Sequence, residues 1–111
     1  MDLRLELEKS GCFNTYSILL KEKSIGQISL TEYRDSIHID SILIEQNYRK
    51  NGFGRQVVKH LKSKHKVITG ESSPFAINFW KKVGAKFHYE VNDEMIDFLM
   101  DIGEYPGFII C

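Results

Sequence analysis

Hydrophobic and polar residues alternate along the first part of the chain, which is the pattern of β-strands that bury one face. Leucines alternate with charged residues over segment 3–7 and predict a first strand. Segments 13–20 and 25–33 are both rich in β-formers and flank the turn-like segment 21–24, which predicts a hairpin. A fourth strand is predicted over 37–44, directly before a glycine-containing turn.

After residue 52 the hydrophobic spacing changes to three and four residues, which predicts helices. The first helix is predicted over 53–65, with apolar residues at Phe53, Val57, Val58 and Leu61. The short apolar segment 66–70 follows as a strand. If the helix is a crossover connection, this strand runs parallel to the one over 37–44.

Capping residues bound a second predicted helix. Ser73 is a candidate N-cap, Pro74 suits the first helical position, and Gly84 suits the position after the helix end. Apolar residues between these bounds form a core-facing stripe, namely Ala76, Phe79, Trp80 and Val83.

The rest of the chain returns to strands. A strand over 86–91, a short acidic helix over 92–102 and a last strand over 108–110 complete the order ββββαβαβ(α)β. We expect a single α/β domain of the α+β type spanning residues 1–111. Its sheet is predicted to be mixed and mostly antiparallel, with a βαβ unit in the middle.

Composition narrows the class of protein. With 111 residues and 42% hydrophobic content, the chain fits one ordinary globular domain. A formal net charge of +0 gives no electrostatic support for a nucleic-acid or membrane-surface partner. Cys12 and Cys111 show neither metal spacing nor a secreted disulfide pattern, so no metal site is predicted. The N-terminus lacks an apolar targeting segment and no apolar run approaches bilayer length, so we expect a cytoplasmic protein.

The segment 49–54 links the predicted fourth strand to the first helix and contains Gly52 and Gly54. A turn at a helix N-terminus offers several free main-chain N–H groups, which bind phosphate oxygens. Glycines carry no side chain, so a ligand can approach this backbone closely. A Gly-x-Gly pair by itself indicates only a turn, but the strand–turn–helix context favours an anion-binding site.

Segment 39–54 resembles the acetyl-CoA-binding motif of the GNAT N-acetyltransferase superfamily, whose loop reads Arg/Gln-x-x-Gly-x-Gly/Ala. The corresponding residues in this sequence are Arg49, Gly52 and Gly54.

A second segment, 75–87, is similar to the family's second motif, a helix that ends in Lys-Leu-Gly-Phe. The hairpin that ends at Gly26 is similar to the family's second and third strands. The resemblance covers about residues 13–87 and implies an N-acetyltransferase that uses acetyl-CoA as its cofactor.

The resemblance also assigns contacts to the cofactor. In the family, the glycine loop holds the CoA pyrophosphate; the matching residues here are Arg49, Lys50, Asn51, Gly52, Phe53, Gly54 and Arg55. The preceding strand pairs with the pantetheine amides through its main chain, here at Ile42, Leu43 and Ile44. An amide near Ile44 also polarises the thioester carbonyl. For Lys59 and Lys62 on the following helix, a solvated surface is favoured over contact with phosphate.

Acetyl transfer to an amine needs a base, because only the neutral amine attacks and lysine amines have a pKa near ~10.4. His38 and Asp40 are both on the fourth strand, where the family often places its base. By strand alternation they share a face, which also carries Ile42 and Ile44. Glu71, just after the next strand, is a third candidate. The alternative interpretation of each of the three is a polar side chain on a half-exposed strand or loop, with no role in catalysis.

Two positions depart from the family pattern. Trp80 occupies the position of a tyrosine that returns a proton to the CoA thiolate, and an indole is not a usable acid. The loss need not abolish activity, because a thiolate is a tolerable leaving group, with a pKa near ~8.5 for a cysteine thiol. Ser73 stands where an asparagine is frequent, and it either contacts the pantetheine or caps the helix.

A third departure concerns the acceptor, which is a small-molecule or a protein amine. Family members usually carry two helices between the first and second strands, and these form part of the acceptor pocket. Segment 9–11 leaves room only for a turn. The acceptor side is then open, completed by a second copy of the chain in a homodimer, or built from residues 92–106.

Two other classes of function compete with the acetyltransferase. A non-catalytic acyl-CoA-binding or regulatory module is favoured by Trp80 and by the missing helices. An unrelated small nucleotide- or phosphate-binding α/β protein would bind phosphate through the same kind of glycine loop. Against this last class, the chain lacks a Walker Gly-Lys-Ser/Thr, and Val57 occupies the third position of a Gly-x-Gly-x-x-Gly.

Overall fold

The computed structural model describes residues 3–111; Met1 and Asp2 of the predicted domain lie outside the described residues. Within this part, seven strands and three α-helices follow one another in the predicted order. Their bounds are β1 Leu3–Lys9, β2 Asn14–Leu20, β3 Lys23–Glu32, β4 Ser36–Ile44, α1 Phe53–Lys64, β5 Val67–Glu71, α2 Ile77–Lys82, β6 Lys86–Phe87, α3 Asp93–Ile102 and β7 Gly107–Ile110.

One mixed sheet contains these seven strands, in the spatial order β1-β2-β3-β4-β5-β7-β6. Within residues 3–111, β4 and β5 form the one parallel pair, and the other neighbours are antiparallel. The helix α1 makes the crossover between β4 and β5. The predicted fold class, a mostly antiparallel α/β sheet with a central βαβ unit, is confirmed.

The main hydrophobic core lies on one face of the sheet, against α1 and α2. From α1 it contains the four apolar residues that predicted the helix: Phe53, Val57, Val58 and Leu61. From the central strands it contains Ile28, Leu30, Ile37, Ile39 and Ile68. Burying one such side chain contributes about 1.5–3 kcal/mol, so this face fixes the position of α1 over the sheet.

The predicted strand over 86–91 is wrong beyond Phe87, because β6 has only two residues. The amide of His88 still donates to the carbonyl of Gly107, at 3.2 Å. Gly107 is the first residue of β7, so β7 offers residues 89–91 no further strand partner. The chain therefore leaves the sheet at this point.

A 3-10 turn over Pro74–Ala76 precedes α2, so the α-helix begins at Ile77 rather than at Pro74. Ser73 is the N-cap of this turn and Pro74 its first residue, as predicted, but the side chain of Ser73 makes no capping hydrogen bond. The hydroxyl of Ser72, which is fully buried, donates to the carbonyl of Ser73 at 2.7 Å. Gly84 has the positive φ of 93° expected just after a helix end.

The connections on either side of the sheet bear on the acceptor side. Residues 10–13 join β1 to β2 without a helix, so the predicted lack of a helical insertion is confirmed. The predicted acidic helix is present as α3, where the side-chain oxygen of Asn92 accepts from the amide of Met95 at 3.0 Å. None of the helices in residues 3–111 has the length and apolarity needed to cross a bilayer.

Candidate active site

β4 and β5 part from each other halfway along β4. Their pairing ends at Ile39 opposite Gly70, whereas β4 continues to Ile44. On its other side β4 stays paired with β3 as far as Gly26 opposite Ile44. Within the described residues, main-chain groups of 40–44 on the side of β5 therefore have no strand partner. They can pair with an extended ligand as an added strand would.

Gly26 explains how β3 and β4 remain close beside this opening. A Cβ at this position would overlap the main-chain oxygen of Leu43, so any side chain would push the two strands apart. The side chain of Leu43 itself is 59% exposed, and only its main chain takes part in the sheet.

The loop between β4 and α1 is held by its own side chains. The Nε of Arg49 donates to the main-chain oxygen of Ile44 at 2.8 Å, and the side-chain amide of Asn51 donates to the carbonyl of Arg49 at 3.2 Å. Lys50 and Gly52 both have positive φ angles, 64° and 80°. Arg49 therefore fixes the loop against the end of β4, a role that sequence reasoning did not assign to it.

The N-terminus of α1 presents free amides. The first main-chain hydrogen bond of this helix runs from the amide of Gln56 to the carbonyl of Gly52, at 3.1 Å. The amides of Phe53, Gly54 and Arg55 precede it and have no helical partner. Gly52 at the N-cap contributes no side chain. These three amides and the positive end of the helix dipole form a site suited to a phosphate oxygen.

The two glycines of this turn have different roles. A Cβ on Gly52 would meet no atom within 4 Å, so glycine is favoured here by its positive φ and not by crowding. The space beside its Cα is open. A Cβ on Gly54 would lie 3.1 Å from two ring carbons of Phe79. Gly54 therefore lies in a tight contact between α1 and α2, where an added Cβ would displace the ring of Phe79 by a few tenths of an ångström.

Cationic side chains line a groove beside α1. The chain has no acidic residue between Glu45 and Glu71. A groove of about 690 Å³ has apolar walls that include Val58 and Val83, and four cationic residues also line it: Arg55, Lys59, Lys62 and Lys82. On the same helix, burial lowers the pKa of His60, and the charge of Lys64 lowers it further. The groove adjoins the free amides through Arg55 and gives them a positive surrounding.

A β-bulge interrupts the alternation of side chains along β4. Ser29 on β3 pairs with Ser41, but the next β3 residue, Leu30, pairs with Ile39. Asp40 is therefore the extra residue on β4. Directly opposed residues of an antiparallel pair point to the same face, so the faces can be assigned from this register.

The bulge corrects one expectation about the candidate bases. Ile39 before it and Ile42 and Ile44 after it all contact the same core. His38 lies on the opposite, polar face, and the carboxylate of Asp40 is bonded to a residue of that face. The expectation that His38 and Asp40 share a face with Ile42 and Ile44 is therefore wrong.

The hydrogen bonds of His38 and Asp40 lead to opposite neighbouring strands. Nδ1 of His38 lies 2.8 Å from Oγ1 of Thr69 on β5. Oγ1 of Thr31 on β3 donates to Oδ2 of Asp40 at 2.7 Å. His38 is half-buried and Asp40 is exposed. Because β5 borders the opening, the structure orients His38 towards that side and Asp40 away from it.

Glu71 and Ser73 lie where β5 leaves the sheet. Glu71 is exposed and pairs with Gly107 of β7. It follows Thr69 by one strand period, so its side chain is on the same face as Thr69 and His38. Ser73 is partly buried just beyond. Both residues border the end of β5 next to the opening, and within residues 3–111 no hydrogen bond joins either side chain to His38.

Trp80 is part of the core. Its side chain is 3% exposed, its ring stacks on Phe108 with centroids 4.3 Å apart, and Phe79 packs against it edge-on at 5.0 Å. The packing agrees with the core position that the helical spacing predicted for Trp80. It does not favour the cofactor contact that the resemblance implied. Within the described residues, α2 thus places no acid in the position of the family's tyrosine.

Sequence reasoning did not single out the two threonines that hold the candidate bases, Thr31 and Thr69. A hydroxyl residue on a strand is common and gives no signal alone. The useful signal is register, because a parallel pairing of 37–44 with 66–70 brings Thr69 opposite His38. The hydrophobic pattern predicted both strands but left this register open.

Comparisons with known proteins agree with this geometry. Residues 1–85 match the family model described as "Acetyltransferase (GNAT) family". No curated protein matches the sequence.

Solved structures share the fold. An acetyltransferase from Bacillus subtilis in complex with CoA has a TM-score of 0.69 at 16% identity, with 98% of each chain covered. A GNAT family acetyltransferase from Elizabethkingia anophelis with acetyl-CoA bound has a TM-score of 0.62 at 17% identity, covering 88% of this chain and 75% of that one. N-acetylglutamate synthase from Neisseria gonorrhoeae, in complex with CoA and N-acetyl-glutamate, has a TM-score of 0.62 at 11% identity. The match covers 86% of this chain but 25% of the synthase.

Proposed function

The chain belongs to the GNAT acetyltransferase family, and on that premise we propose that it moves the acetyl group of acetyl-CoA to a primary amine. The observation that carries this proposal is the succession of two features along the chain. β4 parts from β5 after Ile39, and the free amides of α1 follow the end of β4, beginning at Phe53. The first feature suits an extended amide-containing chain and the second a pyrophosphate, which are two parts of acetyl-CoA.

We assign two parts of acetyl-CoA, the pyrophosphate and the pantetheine, to residues on this path. The pyrophosphate takes the amides of 53–55, with charge from the cationic groove beside α1. The pantetheine lies along the main chain of Ile42–Ile44. The carbonyl of Ile44 already accepts from Arg49, so main-chain contacts with the pantetheine fall to the other groups of this segment.

We assign His38 as the general base in preference to Asp40 and Glu71. His38 is half-buried and bonded to β5, the strand that borders the opening. Asp40 is exposed and held by Thr31 on the side of β3. Glu71 is exposed at the end of β5 and is the next candidate for the base if His38 and Asp40 are both eliminated. A histidine is also the side chain whose ordinary pKa lies closest to neutral pH, which suits a proton acceptor.

The proposed reaction proceeds by direct attack. Nε2 of His38 takes a proton from the ammonium form of the acceptor, and the freed lone pair forms the C–N bond with the thioester carbon. A main-chain amide near Ile44 stabilises the oxyanion. The nitrogen, which still carries two hydrogens after the attack, releases one of them to solvent as the C–S bond breaks with its electron pair on sulfur. Solvent protonates the thiolate, because Trp80 is buried and is not an acid, and the imidazolium of His38 returns its proton to solvent. The products are the N-acetylated amine and CoA.

The proposal is tested by calorimetry with acetyl-CoA, CoA and ATP, followed by a panel of primary amines assayed for release of the CoA thiol. We expect acetyl-CoA and CoA to bind in the micromolar range, ATP to bind weakly, and thiol release to require an amine. Tighter binding of ATP than of CoA would contradict the proposal and indicate a nucleotide-binding protein instead.

A non-catalytic acyl-CoA-binding module is the second candidate, and the burial of Trp80 is the observation that favours it. With no acid on α2 and only residues 10–13 between β1 and β2, binding without turnover is chemically consistent. Acetyl-CoA binding together with no thiol release on any amine would identify this module.

A further inference from the structure

We propose that Thr69 is the positioning residue for His38: its hydroxyl oxygen accepts a hydrogen bond from Nδ1–H and leaves Nε2 free to receive a proton. This inference rests on the proposed function, because it takes His38 to be the base.

The geometry fixes both partners. His38 and Thr69 are directly opposed in the parallel pairing of β4 with β5, and their side-chain atoms Nδ1 and Oγ1 are 2.8 Å apart. The next opposed pair, Ile39 and Gly70, is the last before the strands part. Threonine is β-branched and stiff about its first side-chain torsion, so its hydroxyl is held in one place on the strand. The contact therefore stands at the edge of the opening, on rigid backbone.

The chemistry of the contact decides whether His38 can act. A neutral imidazole carries one proton, and the ring nitrogen without the proton is the acceptor. If Nδ1–H donates to Oγ1 of Thr69, the lone pair is on Nε2. When Nε2 takes the proton of the ammonium group, the Nδ1–H bond becomes charge-assisted and stronger, which favours the imidazolium form. In the other tautomer the hydroxyl donates to Nδ1, and Nε2 cannot serve as the base.

The charged groups around His38 do not take over the role of Thr69. On the same polar face, Asp40 of β4 is held by Thr31, and Glu71 of β5 is exposed. From β3, the residue opposed to His38 is Thr31, which carries no charge. On the far side of Thr69, β7 contributes the apolar Ile109. Within the described residues, the hydroxyl of Thr69 is the direct hydrogen-bond partner of the imidazole.

Two matched substitutions test the inference. Thr69→Val keeps the β-branched shape and removes the hydroxyl, whereas Thr69→Ser keeps the hydroxyl. The ring nitrogens of His38 are followed by long-range ¹H–¹⁵N spectra of the uniformly labelled protein during a pH titration, with His38→Gln assigning the signals. We expect the Nδ1–H tautomer in the wild type and in Thr69→Ser, and a mixture of tautomers in Thr69→Val.

Kinetics supply the second readout. Thr69→Val is expected to lower kcat by about tenfold at an unchanged Kd for acetyl-CoA and to displace the pH profile, whereas Thr69→Ser restores both. Combined with His38→Gln, Thr69→Val should cause no further loss, because it acts through the imidazole. If Thr69→Val does not fold by circular dichroism, the comparison is made with Thr69→Ser and Thr69→Ala.

The outcomes separate this inference from the proposed function. An Nε2–H tautomer in the wild type, equal spectra in Thr69→Val and Thr69→Ser, or additive losses with His38→Gln would overturn the positioning role. A wild-type rate for His38→Gln would overturn the assignment of the base and this inference with it. Absence of acetyl-CoA binding by the wild type would overturn the proposed function, and the spectra would still report the contact.

Discussion

The Nε of Arg49 lies 2.8 Å from the main-chain oxygen of Ile44 and ties the loop before α1 to the last residue of β4. The two sections of the proposed acetyl-CoA site, the open edge of β4 and the free amides of α1, are therefore joined by one side chain. A guanidinium donates from Nε while keeping its terminal nitrogens available, whereas the donor nitrogen of a lysine lies one atom farther along the side chain.

Replacement of Arg49 distinguishes this tie from a simple charge effect. Arg49→Lys and Arg49→Ala should both weaken acetyl-CoA binding by about fivefold, since an exposed hydrogen bond of this kind contributes about 1 kcal/mol. Calorimetry measures the affinity, and Arg34→Lys, on the exposed turn before β4, is the matched control. Wild-type affinity in Arg49→Lys together with loss in Arg49→Ala would show that the charge is what matters.

Gly54 and Phe79 form a contact that can be tested by a double-mutant cycle. Gly54→Ala should lower the free energy of unfolding by about 1–2 kcal/mol through overpacking, although alanine is the better helix former. Phe79→Leu should recover part of this loss in urea unfolding. Gly52→Ala is the control: its cost comes from the positive φ, so Phe79→Leu should not relieve it. Equal relief at both positions would contradict the contact.

Much of the fold could be predicted from the spacing of hydrophobic residues, because most helices bury one stripe and most strands bury one face. α1 and the β2–β3 hairpin were predicted within a few residues, since their hydrophobic period and turn residues agree. The end of β6 was not predictable in the same way. It depends on how far the partner strand extends, and β7, which is distant in sequence, begins only at Gly107.

The part of the candidate site that is formed by a local sequence motif could be predicted. The glycine turn was recognised because its residues are consecutive and their geometry is local. The orientation of His38 and Asp40 was not, because one extra residue in β4 shifts the alternation after it, and nothing in the sequence marks Asp40 as a bulge. The role of Trp80 was ambiguous because spacing placed it in the core while the motif placed it at the cofactor.

Because Trp80 is buried in the core, a tyrosine at this position is expected to lower stability without raising turnover. Trp80→Tyr leaves a smaller ring against Phe108 and buries a hydroxyl without an assured partner, so unfolding free energy should fall by about 2–3 kcal/mol. Turnover per folded molecule should not rise. Thermal unfolding checks the first expectation, and a rate normalised to folded protein checks the second. An increase in turnover without loss of stability would place residue 80 at the thioester.

The last prediction concerns the base and its dependence on pH. His38→Gln keeps a polar side chain that cannot accept a proton at neutral pH. It should lower kcat/KM by about 10²-fold or more while the Kd for acetyl-CoA holds. Asp40→Asn can still accept the bond from Thr31, and because Asp40 is held on the side of β3, we expect less than about a threefold change.

The pH profile of the rate identifies which side chain is responsible for the pH dependence. A base must be deprotonated to act, so the wild-type rate should rise with pH and level off once the base has lost its proton. His38→Gln should remove this rise, and Asp40→Asn should keep it. A large loss in Asp40→Asn alone would assign the base to Asp40 despite its orientation. If both variants keep the wild-type profile, Glu71→Gln becomes the deciding variant, because Glu71 is the remaining carboxylate at the end of β5 beside the opening.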